Sequence, residues 1–301
     1  MWCRLSTSCR SVSRRTLVNR RWQQVSRQQK GAGNTMRHMG APTHIEIEFT
    51  MAFQPIVDTG AGGSVFAYEA LVRGPSGQGA DKIFAGISPT SLTAFDEACR
   101  SRAIDLASSL GMSSRLSLNV SATAICDRRH GLHATLRRAR KLGWPIDNLI
   151  FEMTEHDPVA DVDRLGRWIA AARSRDVKIA IDDFGAGYAG LSSLLALRPE
   201  IIKLDLALVR NIDTDRSRQA LVKGVVDACR SFDCTVIAEG VETDQEFSML
   251  SQLGVTLMQG FLFARPGLAS LPAITWPMNI TTNEMERSPA AGMPDHEGIY
   301  Q

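Results

Sequence analysis

Seven polar residues stand at the ends of short apolar runs, and their types suit holding metal and activating water. Glu69 follows Val-Phe-Ala-Tyr, Asn119 follows Leu-Ser-Leu, and Glu152 follows Leu-Ile-Phe. The pair Asp182–Asp183 follows Ile-Ala-Ile, Lys203 follows Glu-Ile-Ile, and Glu239 follows Val-Ile-Ala. Any one of these acids is more simply read as a helix cap or the partner of a surface lysine. Six run ends with one pattern are not. Carboxylates brought to one place repel, and burial raises their pKa values until some turn neutral. A divalent cation removes that conflict, and oxygen donors suit Mg²⁺ or Mn²⁺ better than zinc. The adjacent pair Asp182–Asp183 is suited to serving two ions in one site.

Strand-like runs cover Ile45–Val57, Val65–Val72, Leu116–Val120, Leu149–Met153, Val177–Ile181, Ile201–Leu204, Thr235–Ala238 and Thr256–Met258. Amphipathic helical stretches cover Ser91–Leu110, Leu132–Leu142, Val162–Ser174, Leu191–Leu197, Ser217–Phe232 and Asp244–Leu253. Strands alternating with helices predict a mainly parallel sheet, and eight strands at this length fit an α/β fold of the TIM-like (β/α)8 barrel type. The first two runs are joined by the Gly-rich Thr59–Ser64, too short for a helical crossover, so the first strand is expected to be antiparallel. In a parallel barrel the C-terminal strand ends converge on one mouth, where active sites sit. The seven residues would then share that mouth.

The order of motifs resembles a known family. It runs Gln54-Pro55-Ile56, Glu69-Ala70-Leu71-Val72-Arg73, Asn119-Val120-Ser121 and Glu152-Met153-Thr154-Glu155. It continues through Asp182-Asp183-Phe184-Gly185-Ala186-Gly187-Tyr188, Lys203-Leu204-Asp205, Glu239-Gly240-Val241-Glu242 and Gln259-Gly260-Phe261. This series is similar to that of EAL-domain cyclic di-GMP phosphodiesterases and covers about Thr50 to Leu271. The resemblance implies hydrolysis of cyclic di-GMP to linear pGpG by in-line attack of water. It implies that Glu69, Asn119, Glu152 and Asp182 bind one metal, and that Asp183 and Glu239 complete a second with Asp182 bridging. Lys203 would hold the attacking water, and Glu239, Lys203 and, through the loop it fixes, Glu155 would be the catalytic set. Arg73 would meet substrate phosphate, with Gln54, Asp205, Gln259 and Glu242 along the guanylate groove. Glu155 would accept backbone N–H bonds from the Gly185–Gly190 loop that positions Asp182 and Asp183. A homodimer through the barrel side near that loop is also implied. Gly74 stands where many active members carry Trp, and Leu-Ala-Leu follows Asp205 where Arg-Ser-Phe is frequent. A barrel that keeps the groove but has lost turnover, acting as a sensor or regulator, is the rival reading.

Composition bounds the remainder. Nine of the 34 Lys and Arg lie in residues 1–43, which hold no acid, so the other 25 face 32 acids and leave the rest at −7. An acidic body argues against a general DNA-binding surface. Residues 1–43 lack apolar periodicity and are expected to be a disordered basic extension, with a barrel over 44–276 and a loose tail over 277–301. The six cysteines include no CxxC pair, so reduced thiols in a cytoplasmic protein are expected, and no apolar run is long enough to span a bilayer. Gly185-Ala186-Gly187-Tyr188-Ala189-Gly190 spells a dinucleotide fingerprint, but two ionised Asp residues before it would face a pyrophosphate.

Overall fold

The computed structural model describes residues 47–60, 62–125, 132–154, 162–187 and 190–277. Its centre is one closed sheet. The strands are β1 Thr50–Asp58, β2 Ser64–Arg73, β3 Arg115–Asn119, β4 Leu149–Thr154, β5 Lys178–Phe184, β6 Ile201–Leu204, β7 Thr235–Glu239, β8 Leu257–Gln259 and the two-residue β9 Gly267–Leu268. β2 to β8 run parallel in chain order, and β1 closes the barrel antiparallel to β2 on one side and to β8 and β9 on the other. The expected antiparallel first strand is therefore present; it begins at Thr50, with Ile47, Glu48 and Phe49 ahead of it outside the sheet, while Ile45 and Glu46 of the expected run fall outside the described residues. Thr50 pairs with Arg73, the last residue of β2, so the hairpin offers no partner to an earlier residue.

The helices that return the chain between strands are α1 Ala80–Ala85, α2 Leu92–Ser109, α3 Ala122–Ile125, α4 Leu132–Lys141, α5 Val162–Arg173, α6 Gly190–Leu197, α7 Leu206–Val209, α8 Arg216–Arg230 and α9 Asp244–Gln252. α1, α3 and α7 were not expected, because four to six residues are too few for a 3.6-residue period to register. Local chemistry fixes the longer ends. Asp215 caps α8 by accepting from the Ser217 and Arg218 N–H groups, and Thr243 with Glu246 forms a capping box on α9.

Strand residues alternate between the barrel interior and the helix-covered outside. Outward residues such as Phe151, Ile179, Ile202 and Met258 pack under the helices in two apolar clusters. Inward residues Ile56, Ala67, Ile150, Ala180, Ile201, Ile237 and Leu257 form a separate buried plug. Each lies two positions along its strand from the polar layer above it. β5, the strand ahead of the glycine-rich segment, is part of this closed barrel wall, with parallel neighbours β4 and β6. A dinucleotide fingerprint needs the open switch point of a doubly wound sheet, so that reading fails. Among the described residues, no helix is long and apolar enough to cross a membrane.

Candidate active site

Stepping two residues from the apolar plug toward the mouth gives Gln54, Glu69, Glu152, Asp182, Lys203, Glu239 and Gln259 on seven strands, and Ser117 supplies the eighth. All eight are buried. Lys203 stands among them with its ammonium 2.6 Å from Glu239, 2.9 Å from Glu152, 3.2 Å from Asp182 and 3.5 Å from Glu69. These are ion contacts, not aligned hydrogen bonds. Four carboxylates at such distances hold its pKa well above the ordinary lysine value, although burial alone would lower it.

The carboxylates still outnumber the ammonium. Burial pushes Glu152 up to about 8; Lys203 opposes that rise, and Glu69, Asp182 and Glu239 add to it. Ser117 donates to Glu152 Oε1 at 2.6 Å, while Glu152 Oε2 is buried with no hydrogen-bond partner among the described residues. Glu69 is held by Asn119 Nδ2 at 3.3 Å and by Gln259 Nε2 at 2.7 Å. Gln259 Nε2 also donates to Gln54 Oε1 at 3.2 Å, and Gln54 Nε2 donates to the Ala264 carbonyl.

Asp183 departs from strand geometry. A regular strand would send Asp182 and Asp183 to opposite faces. Instead Asp183 has φ +54°, and the β5–β6 register shifts between Ile181 and Phe184. Asp is among the few residues that tolerate the left-handed region. Beyond that bend, ligand oxygens of Asp182, Asp183 and Glu239 all lie within 4.8 Å of one another. The donor set is all oxygen, net negative and buried, and it contains an orphaned carboxylate atom at Glu152. It fits hard divalent cations.

Asp205 is buried and caps α7, accepting from the Ala207 N–H at 2.8 Å. Arg73 donates to the Val72 carbonyl at 2.8 Å and lines a cleft of about 290 Å³ that runs from Glu69, Asn119 and Glu152 outward past Phe84. Glu242 lies farther out, paired with Arg210 at 2.8 Å. Glu155 falls outside the described residues, as do Tyr188 and Ala189 of the loop it was expected to brace. Two buried residues of this region were not anticipated. Ser117 was legible as a polar residue at the inward position two before Asn119, and Glu246 as the fourth residue of a T-x-x-E capping signal.

Comparison with known proteins yields one family model, described as EAL domain, which matches residues 43–266. The blue light- and temperature-regulated antirepressor BluF of Escherichia coli is 27% identical over 227 residues, covering 75% of this chain and 56% of that protein. The E. coli protein named "Probable cyclic di-GMP phosphodiesterase PdeD" is 33% identical over 156 residues, 52% of this chain and 29% of its own length. The chain thus spans about half or less of these relatives. Among solved structures, a standalone EAL protein of Vibrio cholerae O395 in its c-di-GMP bound form superposes with TM-score 0.73 at 39% identity, covering 77% of this chain and 98% of that one. A calcium/cyclic di-GMP complex of Klebsiella pneumoniae BlrP1 gives TM-score 0.73 at 35% identity, covering 79% and 61%.

Proposed function

Because this chain belongs to the EAL domain family, we propose that it hydrolyses cyclic di-GMP to linear pGpG, using Mg²⁺ or Mn²⁺. The observation that carries this reading is the convergence of Asp182, Asp183 and Glu239 oxygens within 4.8 Å, beside the Lys203-centred ring. Glu69, Asn119, Glu152 and Asp182 would hold one ion, and Asp183 and Glu239 a second with Asp182 shared. Bound cations supply a water of lowered pKa and neutralise charge on the attacking and leaving oxygens.

The side chains do the rest. Glu239 orients the attacking water and takes up its proton. Lys203 holds that water in its deprotonated form and keeps the acidic ring from repelling the substrate. Arg73 offers two N–H donors to a phosphate oxygen pair. Gln54, Asp205, Gln259 and Glu242 would contact the guanylates, although none of the four lines the cleft that holds Arg73. The water oxygen bonds to phosphorus as the P–O3′ bond breaks; the departing 3′ oxygen takes a proton from solvent, and Glu239 returns the water's proton to solvent.

Incubation of the purified chain with cyclic di-GMP and Mn²⁺ or Mg²⁺, with chromatographic separation of products, tests this directly. Glu239→Ala should keep nucleotide binding, measured calorimetrically in Ca²⁺, and lose about 10²–10⁴-fold in turnover. The antirepressor name of BluF favours a second reading, a regulator that binds nucleotide without turning it over. Tight binding by the wild type with no pGpG under either metal selects that reading. We also propose a homodimer through the barrel side near Gly185–Gly190, where α6 presents Leu195 at 65% exposure.

A further inference from the structure

Glu246 lies in the first turn of α9 and is 1% exposed. Its Oε2 accepts the N–H groups of Glu242 at 2.9 Å and Thr243 at 3.3 Å, and its Oε1 accepts the N–H of Asn211 at 3.0 Å. Arg210 approaches Oε1 at 3.5 Å and reaches Glu242 with its other nitrogen. A capping box accounts for the bond to Thr243 alone. The bonds to Glu242 and Asn211 do something different, because they tie the loop after β7 to the segment after α7.

That tie acts on the metal-binding residues through α7. A Cβ on Gly185 would meet Leu208 Cδ1 at 2.4 Å, and a Cβ on Gly240 would meet Leu206 Cδ1 at 2.4 Å. Both glycines have positive φ. Leu208 therefore fills the space against the loop just after Asp183, and Leu206 fills the space against the loop just after Glu239. α7 is thus wedged between the two loops, close against the residues that follow Asp183 and Glu239. Its far end, at Arg210 and Asn211, is held to α9 and the β7 loop through Glu246.

We infer that Glu246 is a positioning residue for the metal site, one that clamps α7 and the β7–α9 loop so that Asp183 and Glu239 converge. The inference rests on the metal-dependent reading above. A buried carboxylate is costly unless its lone pairs are filled. Here both oxygens are filled, from two different loops, which a neutral amide cannot reproduce.

Calorimetric titration of the full chain with Mn²⁺ alone tests this without relying on turnover. Glu246→Ala should bind Mn²⁺ roughly 10–100-fold more weakly, the usual effect of losing a group that orients metal ligands. Turnover of cyclic di-GMP should show a lower kcat with KM within about twofold, because a displaced water affects chemistry more than nucleotide binding. Thr243→Ala removes the side-chain half of the cap but leaves the carboxylate bridge. It should lower the thermal midpoint and keep wild-type Mn²⁺ affinity. If Glu246→Ala does not fold, Glu246→Gln fills the same volume with a single acceptor oxygen, serves one loop, and should show an intermediate loss. Wild-type Mn²⁺ affinity in the Glu246 variants overturns the inference while the proposed function stands. Equal losses in Thr243→Ala and Glu246→Ala overturn it too, since helix capping alone would then explain both. A wild type that binds no Mn²⁺ overturns both readings together.

Discussion

At the scale of the residue, the proposed mechanism asks Lys203 to balance the acidic ring as well as to hold the attacking water. Its ammonium is fully buried against Glu69, Glu152, Asp182 and Glu239, so in the metal-free protein it is the cation that lets these acids share the barrel mouth. Removing one partner of a buried ionic cluster leaves uncompensated charge and costs about 3–5 kcal/mol. Lys203→Met should therefore lower metal-free stability by about that much, read as the urea midpoint in EDTA. A divalent ion restores positive charge to the same acids, so Mn²⁺ should raise the variant's stability more than the wild type's. Ligand linkage contributes about 2.7 kcal/mol at a hundredfold excess over the dissociation constant even for an unchanged site. Turnover should not return with stability, because the group proposed to hold the attacking water is gone. Equal Mn²⁺ stabilisation of wild type and variant would show that Lys203 and the metal do not answer the same charge.

At the scale of the element, the site depends on how closely backbones approach. Gly260 follows β8, and a Cβ there would lie 1.9 Å from the Val241 carbonyl oxygen and 2.4 Å from its nitrogen. Those are backbone atoms in the loop that carries Glu239 into α9, and Val241 N–H bonds to the Gln259 carbonyl at 3.1 Å. Gly260→Ala should cost about 3 kcal/mol, the upper end for overpacking, and should weaken Mn²⁺ binding by pushing the β7 loop outward. A denaturant midpoint within error of the wild type would refute the close approach. The barrel was largely legible because short apolar runs alternate with amphipathic helical stretches and end in polar residues. Which face each apolar residue takes was not, since Leu149-Ile150-Phe151 reads as one run although Ile150 packs in the plug and Phe151 under the helices. The elements not legible are short. α7 spans only Leu206–Val209, and its work is visible only when Leu206 and Leu208 are seen filling the space beside Gly240 and Gly185. Likewise the Asp182–Asp183 pair reads as two ligands in sequence. That both reach one site needs the left-handed turn at Asp183, which no period-2 pattern foretells.

At the scale of the whole molecule, the question is what covers α6. Its sequence, Gly-Leu-Ser-Ser-Leu-Leu-Ala-Leu, contains no charge, and although Leu194 is buried in the core, Leu195 is 65% exposed. The helix starts at Gly190, close in sequence to Asp183 and Gly185, so a partner seated on it would brace the segment that follows two proposed metal ligands. In a two-fold symmetric dimer the same residue is buried on both sides. Fully burying a leucine contributes about 1.5–3 kcal/mol, so two copies contribute about 3–6 kcal/mol, or roughly 10²–10⁴-fold in the dimer dissociation constant. Leu195→Asp replaces that gain with two desolvated charges facing each other, and analytical ultracentrifugation should show it monomeric at concentrations where the wild type is dimeric. Its monomer should keep a normal thermal midpoint, because the side chain is already in water in the single chain. If dimerisation braces the loop, specific activity of the wild type should fall on dilution through the dissociation range, and the variant should stay at the lower level at every concentration. A wild type that sediments as a monomer at high concentration removes the dimer from the account and leaves the single barrel to hold its own site.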